Sequence, residues 1–255
     1  MAKSLRPSGE PHQNRVPVDG DGNQIHNLIL LGLPPEERKL IWPKLEFVRL
    51  KTHHVLHEVG DSLKSSYFCN SGLISVLSVF PDGESVEVGL IGKEGFVGLP
   101  LVAGFRTSAT RAVAQIDATA FRVDGEAMLG LLRQCPLMER RLHQFAQILG
   151  MQVTQLAACN RLHEVHERLG RWLLMSADRV ASNSLPLTQE FLGQMLGTRR
   201  ASVTVAVGML QTAGLIAHSR GGIEIVDRPR LEKATCACYS LMQQQTKQWL
   251  DVEPV

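Results

Sequence analysis

Residues 188–211 read TQEFLGQMLGTRRASVTVAVGMLQ, two amphipathic stretches divided by the single Gly197. This segment limits the possible folds more than any other. Thr188 is a good N-cap for a helix over 189–196, because its hydroxyl can satisfy an amide of the first turn. Gly197 can adopt the left-handed backbone that ends such a helix. The chain then restarts at once, and Ala201, Val205, Val207 and Leu210 are expected to form the buried side of a second helix over about 199–211. Two short helices joined by a tight glycine turn make a helix-turn-helix. The segment GLIAHSRGGIEIVD that follows predicts a β-hairpin turning at Arg220-Gly221-Gly222, a wing behind the second helix.

In such a unit the second helix enters the DNA major groove with its N-terminal residues on the base edges. Arg200, in its first turn, has the fork geometry to grip guanine O6 and N7 together. Hydroxyls and amides nearby, Thr204 among them, are suited to phosphate oxygens, and Arg220 would lie over the backbone from the wing. Two arginines at a helix N-terminus oppose the helix dipole by a few tenths of a kcal/mol. That placement is easier to understand if the arginines meet an external anion.

The rest of the chain predicts an α+β protein. Residues 25–46 look like two short helices broken at Pro34-Pro35 and again near Pro43. From 47 to 123 short β-prone runs (FVRLKTHHVLH, SSYFCNS, LISVLSVF, SVEVGLI, TRAVAQI, TAFRV) alternate with glycine-bearing turns at 58–61, 71–72, 82–83 and 92–95. This is the pattern of an antiparallel roll or jelly-roll. A short helix over 125–135 is followed by a long one from Pro136 to about Asn160, roughly 35 Å at the helical rise. Along it Leu142, Phe145, Leu149, Gln152, Leu156 and Cys159 recur at alternating steps of three and four, a coiled-coil seam. A second apolar line, Ala146, Ile148 and Val153, is expected to face the roll, leaving the seam for a partner helix in a parallel homodimer. A further helix, 161–180, would bury Leu162, Val165, Leu169, Trp172 and Leu173, and the tail 229–250 reads as polar and helical. The expected divisions are a flexible arm (1–24), a sensory roll (25–134), a dimerisation helix (135–160), a winged helix-turn-helix (161–235) and a C-terminal tail (236–255).

Composition limits the partners. A net charge of +2 gives no global positive field, so a nucleic acid would be held by a local patch. Five scattered cysteines fit a reducing compartment, and no apolar run is long enough for a membrane helix, so a cytoplasmic protein is expected.

With roll, long helix and winged helix-turn-helix in this order, the sequence resembles the Crp/Fnr family of bacterial transcription regulators over roughly residues 25–235. The stretch LTQEFLGQMLGTRRASVTVAVGMLQTAGLI carries the resemblance most specifically. It implies phosphate contacts by Thr188, Gln189, Arg199 and Ser202 and base reading by Arg200. The partners it implies are double-stranded DNA with an inverted-repeat operator and a second copy of the chain, with RNA polymerase raised as a further one. Ala201 stands where the family usually has a glutamate, and Val205 where it has a second arginine. A methyl group cannot accept from cytosine N4, so the operator is expected to differ from the family's usual one.

SYFCNSGLISVL and EGFVGL are similar to the family's cyclic-nucleotide roll. Nucleotide-binding members hold the ribose with a glutamate and the cyclic phosphate with an Arg-Ser or Arg-Thr pair. Here Leu99 replaces the glutamate and Ala109-Thr110 the pair, with Arg111 two residues along as a substitute. Losing these charge-assisted bonds argues against cyclic AMP in the usual mode. The family's iron–sulfur members use an N-terminal cysteine cluster, which residues 1–24 lack.

The remaining signals are weak. His53 and His57 would share a strand face, which gives two ligands only. His163 and His166 lack the i, i+4 spacing of a zinc-protease helix and read as exposed. Cys236 and Cys238 show no partner in the sequence. No metal site, cofactor or acid–base pair is evident, and the effector is unspecified. The competing readings are a ligand-binding module with a vestigial DNA-binding domain and, more remotely, a metal-dependent hydrolase.

Overall fold

The computed structural model describes residues 17–251. Helices α1 (Leu28–Leu31) and α2 (Pro35–Ile41) and a 3-10 turn at Trp42–Lys44 lead into the strands. These are β1 (Glu46–Leu50), β2 (Val55–His57), β3 (Ser65–Val79), β4 (Ser85–Ile91), β5 (Phe96–Val97) and, after helix α3 (Leu99–Val102), β6 (Arg111–Asp124). Then come α4 (Gly125–Gln134), α5 (Pro136–Leu162), α6 (Val165–Val180), β7 (Ser184–Leu185), α7 (Gln189–Met195) and α8 (Arg200–Thr212). The hairpin β8 (Ile216–Ser219) and β9 (Gly222–Ile225) precedes α9 (Arg228–Ala234) and α10 (Cys238–Leu250).

The six strands form one antiparallel sheet in the order β1-β6-β3-β4, with β2 added to β6 and β5 to β3. Its backbone is the long pairing of β3 with β6, from Ser65 opposite Asp124 to Leu77 opposite Arg111. The expected turn at Ser71-Gly72 is not a turn. The pairing slips between Cys69 and Ile74, and Gly72 takes up the slip at φ +82°. A Cβ there would lie 2.4 Å from the Asp117 carbonyl oxygen, so the bulge requires glycine. Two expected strands therefore merge into β3, and TRAVAQI and TAFRV likewise merge into β6. Asp82-Gly83 does turn the β3–β4 hairpin. His53 and His54 sit in the turn between β1 and β2, not in a strand, so the shared face expected for His53 and His57 does not exist.

The arm is only partly testable, since 1–16 lie outside the described residues. Residues 17–24 are structured: Val18 bridges Gln24, and the Asp19 carboxylate accepts from the amides of Asp21 (3.0 Å) and Asn23 (2.7 Å).

Pro136 opens α5, and the buried Glu37 of α2 accepts the free amides of Leu137 (2.8 Å) and Met138 (2.9 Å). A carboxylate there satisfies orphan donors and complements the helix dipole. The seam on α5 corrects an expectation. Leu142, Phe145, Gln152, Leu156 and Cys159 are buried within the single chain and Leu149 is half-buried. The inner line is the seam itself, and the line expected to face the roll splits, with Ile148 buried and Val153 40% exposed. Heptad spacing marks a stripe that must be covered but does not say by what. Part of the cover is α10, whose Trp249 ring lies 5.8 Å from Phe145. The tail is thus less polar than expected, with Tyr239, Met242 and Trp249 buried.

Two hydrophobic cores hold the molecule. One joins the roll to α1, α4, α5 and Trp249. The other is shared, since Leu73, Leu77, Leu90 and Val113 of the sheet pack with Leu169, Trp172 and Leu173 of α6 and with residues of α7 and α8. α5 runs two residues further than expected, so Leu162 belongs to it and is exposed instead of lining α6.

Candidate nucleic-acid interface

The helix-turn-helix is built as its sequence requires. The Thr188 hydroxyl caps α7 by accepting from the Phe191 amide at 3.2 Å. Gly197 has φ +56°, and the Thr198 amide returns to the Gly193 carbonyl oxygen at 2.9 Å, closing the turn. The buried Arg168 of α6 donates to the Leu196 carbonyl at the end of α7, which ties the turn to the helix beneath it. On α8 the buried set is Val203, Ala206, Val207 and Leu210, at steps of three, one and three. This corrects the expected set, because Ala201 and Val205 point outward and Val205 is 64% exposed. At about 100° per residue Ala201 and Val205 lie on the side of the helix opposite Val207 and Leu210, so the four could not share one buried face.

The outward face of α8 therefore carries Arg200, Ala201, Thr204 and Val205, with Arg199 as its N-cap residue. Arg199 and Arg200 are both exposed, as is Arg220 in the turn between β8 and β9. Among the described residues none of the three has a side-chain hydrogen bond or ion pair. The Thr204 hydroxyl lies 2.7 Å from Gln189 Oε1 and 3.1 Å from the Arg200 carbonyl oxygen, so the starts of α7 and α8 are linked through expected contact residues. Ser202 is half-buried in the first turn of α8. β7, β9 and β8 form the wing sheet.

The unit is docked on the roll. Gln194 Nε2 donates to Ser85 Oγ at 2.6 Å, and a Cβ on Gly197 would lie 2.9 Å from Val86. Beneath, the buried Glu87 of β4 accepts from Trp172 Nε1 (2.8 Å) and from Ser75 Oγ (2.5 Å). Burial pushes the Glu87 carboxyl up to about 7, against the opposing pull of its two hydrogen bonds. A second buried contact pairs Arg179 Nε of α6 with Glu94 Oε1 at 2.8 Å.

In the roll, a cavity of about 70 Å³ lies where the nucleotide site was expected, and Leu99 and Thr110 line it beside His57, Phe96 and Leu149. Ligand pockets usually hold about 300–1,000 Å³, so this cavity is smaller than a typical one, while a second space of about 410 Å³ lies across His57 against Leu56, Asp61 and Tyr67. Ala109 is exposed and does not line the cavity. Arg111 pairs with Glu58 Oε2 at 2.7 Å and does not line the cavity. The four expected pocket residues are therefore not one site. A larger groove, about 600 Å³, runs between Lys93-Glu94, Met175 and Arg179 of α6, and Met242 of α10.

One cluster escaped sequence reasoning. Cys236 and Cys238 do have partners: Cys236 Sγ is 3.5 Å from Cys159 Sγ, and Cys238 Sγ is 3.6 Å from His163 Nδ1. His163 is thus not a free helix position but the residue that ends α5. The Cys-x-Cys pair and the i, i+4 spacing of Cys159 and His163 were the available signals, separated by more than 70 residues.

The comparisons agree with this architecture. The family model for the cyclic nucleotide-binding domain matches residues 47–135, and that for the Crp-like helix-turn-helix domain matches 167–234, together more than half of the chain. No curated protein sequence matches. Solved structures similar to this chain include FixK2 of Bradyrhizobium japonicum (17% identity, TM-score 0.65, 76% of this chain and 98% of that one). CLP of Xanthomonas campestris, a c-di-GMP-responsive global regulator, is 16% identical with TM-score 0.63 over 75% of this chain and 99% of that one. A CRP-family transcriptional regulator of Thermus thermophilus is 20% identical with TM-score 0.62 over 73% and 95%. At these identities the likeness is one of fold.

Proposed function

This chain belongs to the Crp/Fnr family of DNA-binding transcription regulators, and we propose that it acts as a homodimer reading an inverted-repeat operator through Arg200. The observation that carries this reading is the exposed Arg200, with no side-chain partner among the described residues, in the first turn of a helix restarted at a left-handed glycine. In this reading Thr188, Gln189, Arg199, Ser202, Thr204 and Arg220 hold phosphates, and Ala201 and Val205 offer methyl groups suited to thymine. The protein works as a regulator in the cytoplasm, not as an enzyme. Its sensory part spans 25–134, α5 connects it to the reading domain at 161–235, and the tail from 236 returns to α5.

We assign the dimer contact to the outer face of α5, not to the buried seam. Ala146, Gly150, Val153 and Ala157 recur there at steps of four, three and four, half-buried or exposed. A Cβ on Gly150 would meet nothing within 4 Å, which leaves room for a second helix close by. Two-fold symmetry then sets half-sites about one DNA turn apart.

The effector is not cyclic AMP in the usual mode. The support is the small apolar cavity at Leu99 and the diversion of Arg111 to Glu58. The groove at Arg179 and Met242 is the larger space open to a ligand.

Selection of bound fragments from genomic DNA, followed by footprinting, tests the reading. The expected result is a protected inverted repeat whose affinity falls linearly with log salt. Salt-independent binding, or no enrichment of any sequence, would favour a ligand-binding module with a vestigial DNA-binding domain. Sedimentation of wild type and Val153→Asp tests the dimer face: the expected outcome is a dimer that the charge splits.

A further inference from the structure

The side chains of Cys159, His163, Cys236 and Cys238 converge at the joint between α5 and α6. Their ligand atoms all lie within 4.8 Å of one another. We propose that these four residues bind one zinc ion and that this ion clamps the end of α5 to the start of α10.

The geometry fits. A tetrahedral zinc with Zn–S about 2.3 Å and Zn–N about 2.0–2.1 Å sets its ligand atoms roughly 3.6–3.8 Å apart. The Cys159–Cys236 sulfur pair stands at 3.5 Å and the Cys238 sulfur is 3.6 Å from His163 Nδ1. Three cysteines and one histidine form a closed structural set, with no position left for water or substrate. Cys159 and His163 stand one helical turn apart, so both reach the same side of the last turn of α5. Cys236 comes from the link between α9 and α10, and Cys238 is the first residue of α10.

The surroundings also fit. The three thiols are buried as a group of their own, separate from both hydrophobic cores. Gln155 Nε2 donates to Cys238 Sγ at 3.1 Å, the kind of outer hydrogen bond that orients a thiolate ligand. Arg168 and Arg171 are buried and act electrostatically on the cluster, yet neither has an ion-pair partner among the described residues. Zinc displaces one proton from each of three thiols, so the loaded site carries one net negative charge. That charge offsets one of the two buried guanidinium charges.

The joint matters mechanically. α5 packs on the roll, α6 underlies the reading domain, and His163 and Glu164 are the two residues between them. An ion held on both sides of that break, with α10 as its third attachment, sets how far α6 can swing.

The test is metal analysis of the full chain, untagged and purified without chelator, with cobalt substitution in parallel. We expect one zinc per chain, and a cobalt form showing the intense visible bands of a tetrahedral thiolate-rich site. Cys238→Ser should release most of the zinc, whereas Cys135→Ser, which changes a buried cysteine outside the cluster, should keep it. Cobalt spectra of the wild type require no variant to fold. Absence of stoichiometric zinc, equal zinc in Cys238→Ser, or ready closure of a Cys159–Cys236 disulfide in the freshly purified protein would each overturn the proposal.

Discussion

At the helix-turn-helix, Arg199, Arg200 and Arg220 reach solvent with no side-chain partner among the described residues; in the roll, Arg111 is held by Glu58, next in sequence to Thr110 of a cavity of about 70 Å³. Both regions keep the family's backbone. The first presents its arginines to solvent, and in the second the arginine nearest the small cavity is engaged by a carboxylate. Strand pairing and core packing make demands different from those of a phosphate, so the roll's backbone does not by itself specify a ligand. The roll also supports the reading domain: Ser85 and Glu87 of β4 and Glu94 in the turn after it contact Gln194 of α7 and Trp172 and Arg179 of α6.

That contrast can be broken or sharpened by measurement. The largest effect is expected where the roll supports the reading domain. Arg179→Ala leaves Glu94 buried without its partner and should cost about 3–5 kcal/mol in urea unfolding. A loss below 1 kcal/mol would mean that the two regions are not coupled there.

Next is the pH dependence carried by Glu87. Its carboxyl is held near 7 in the fold against an ordinary value of 4.5. Below pH 4.5 it is protonated in both folded and unfolded chains, and its contribution is fully present. Between 4.5 and 7 the unfolded chain has released a proton that the fold retains, so stability falls as pH rises. Above about 7 the loss is complete, on the order of 3 kcal/mol. The difference between wild type and Glu87→Gln isolates this group, and the variant should lack that slope.

A smaller effect belongs to the wing. Arg220→Ala should weaken DNA binding similarly for all sequences and reduce the salt slope by about 1. The smallest is none at all: cyclic AMP should leave the melting temperature unchanged, because a ligand that does not bind the fold cannot stabilise it. A rise with cyclic AMP concentration would show that Leu99 and Arg111 had been misread.

Much of this was legible in the sequence, and what was not has a physical pattern. Thr188, Gly197 and Asp82-Gly83 act through local backbone conformation, so the cap, the turn and the hairpin could be placed from neighbours alone. Ser71-Gly72 misled because a glycine at positive φ serves a bulge as well as a turn, and only the β6 partner decides between them. Ala201 and Val205 were placed on the wrong side of α8 although the helical period already sets them opposite Val207 and Leu210; Val203 and Ala206 complete the buried face instead. The α5 seam was legible as a covered stripe, but the cover includes α10, from nearly a hundred residues away. Cys236 and Cys238 stood out as a Cys-x-Cys pair, but that Cys159 and His163 meet them was hidden for the same reason: their nearness is a product of tertiary packing.

The most direct test of the central claim is a binding titration of wild type and Arg200→Ala on a selected operator and on a scrambled duplex. The account predicts that the variant loses about 1–3 kcal/mol on the operator and little on the scrambled DNA, with preference relaxed at one base pair in each half-site. Unchanged affinity and unchanged preference in the variant would contradict it.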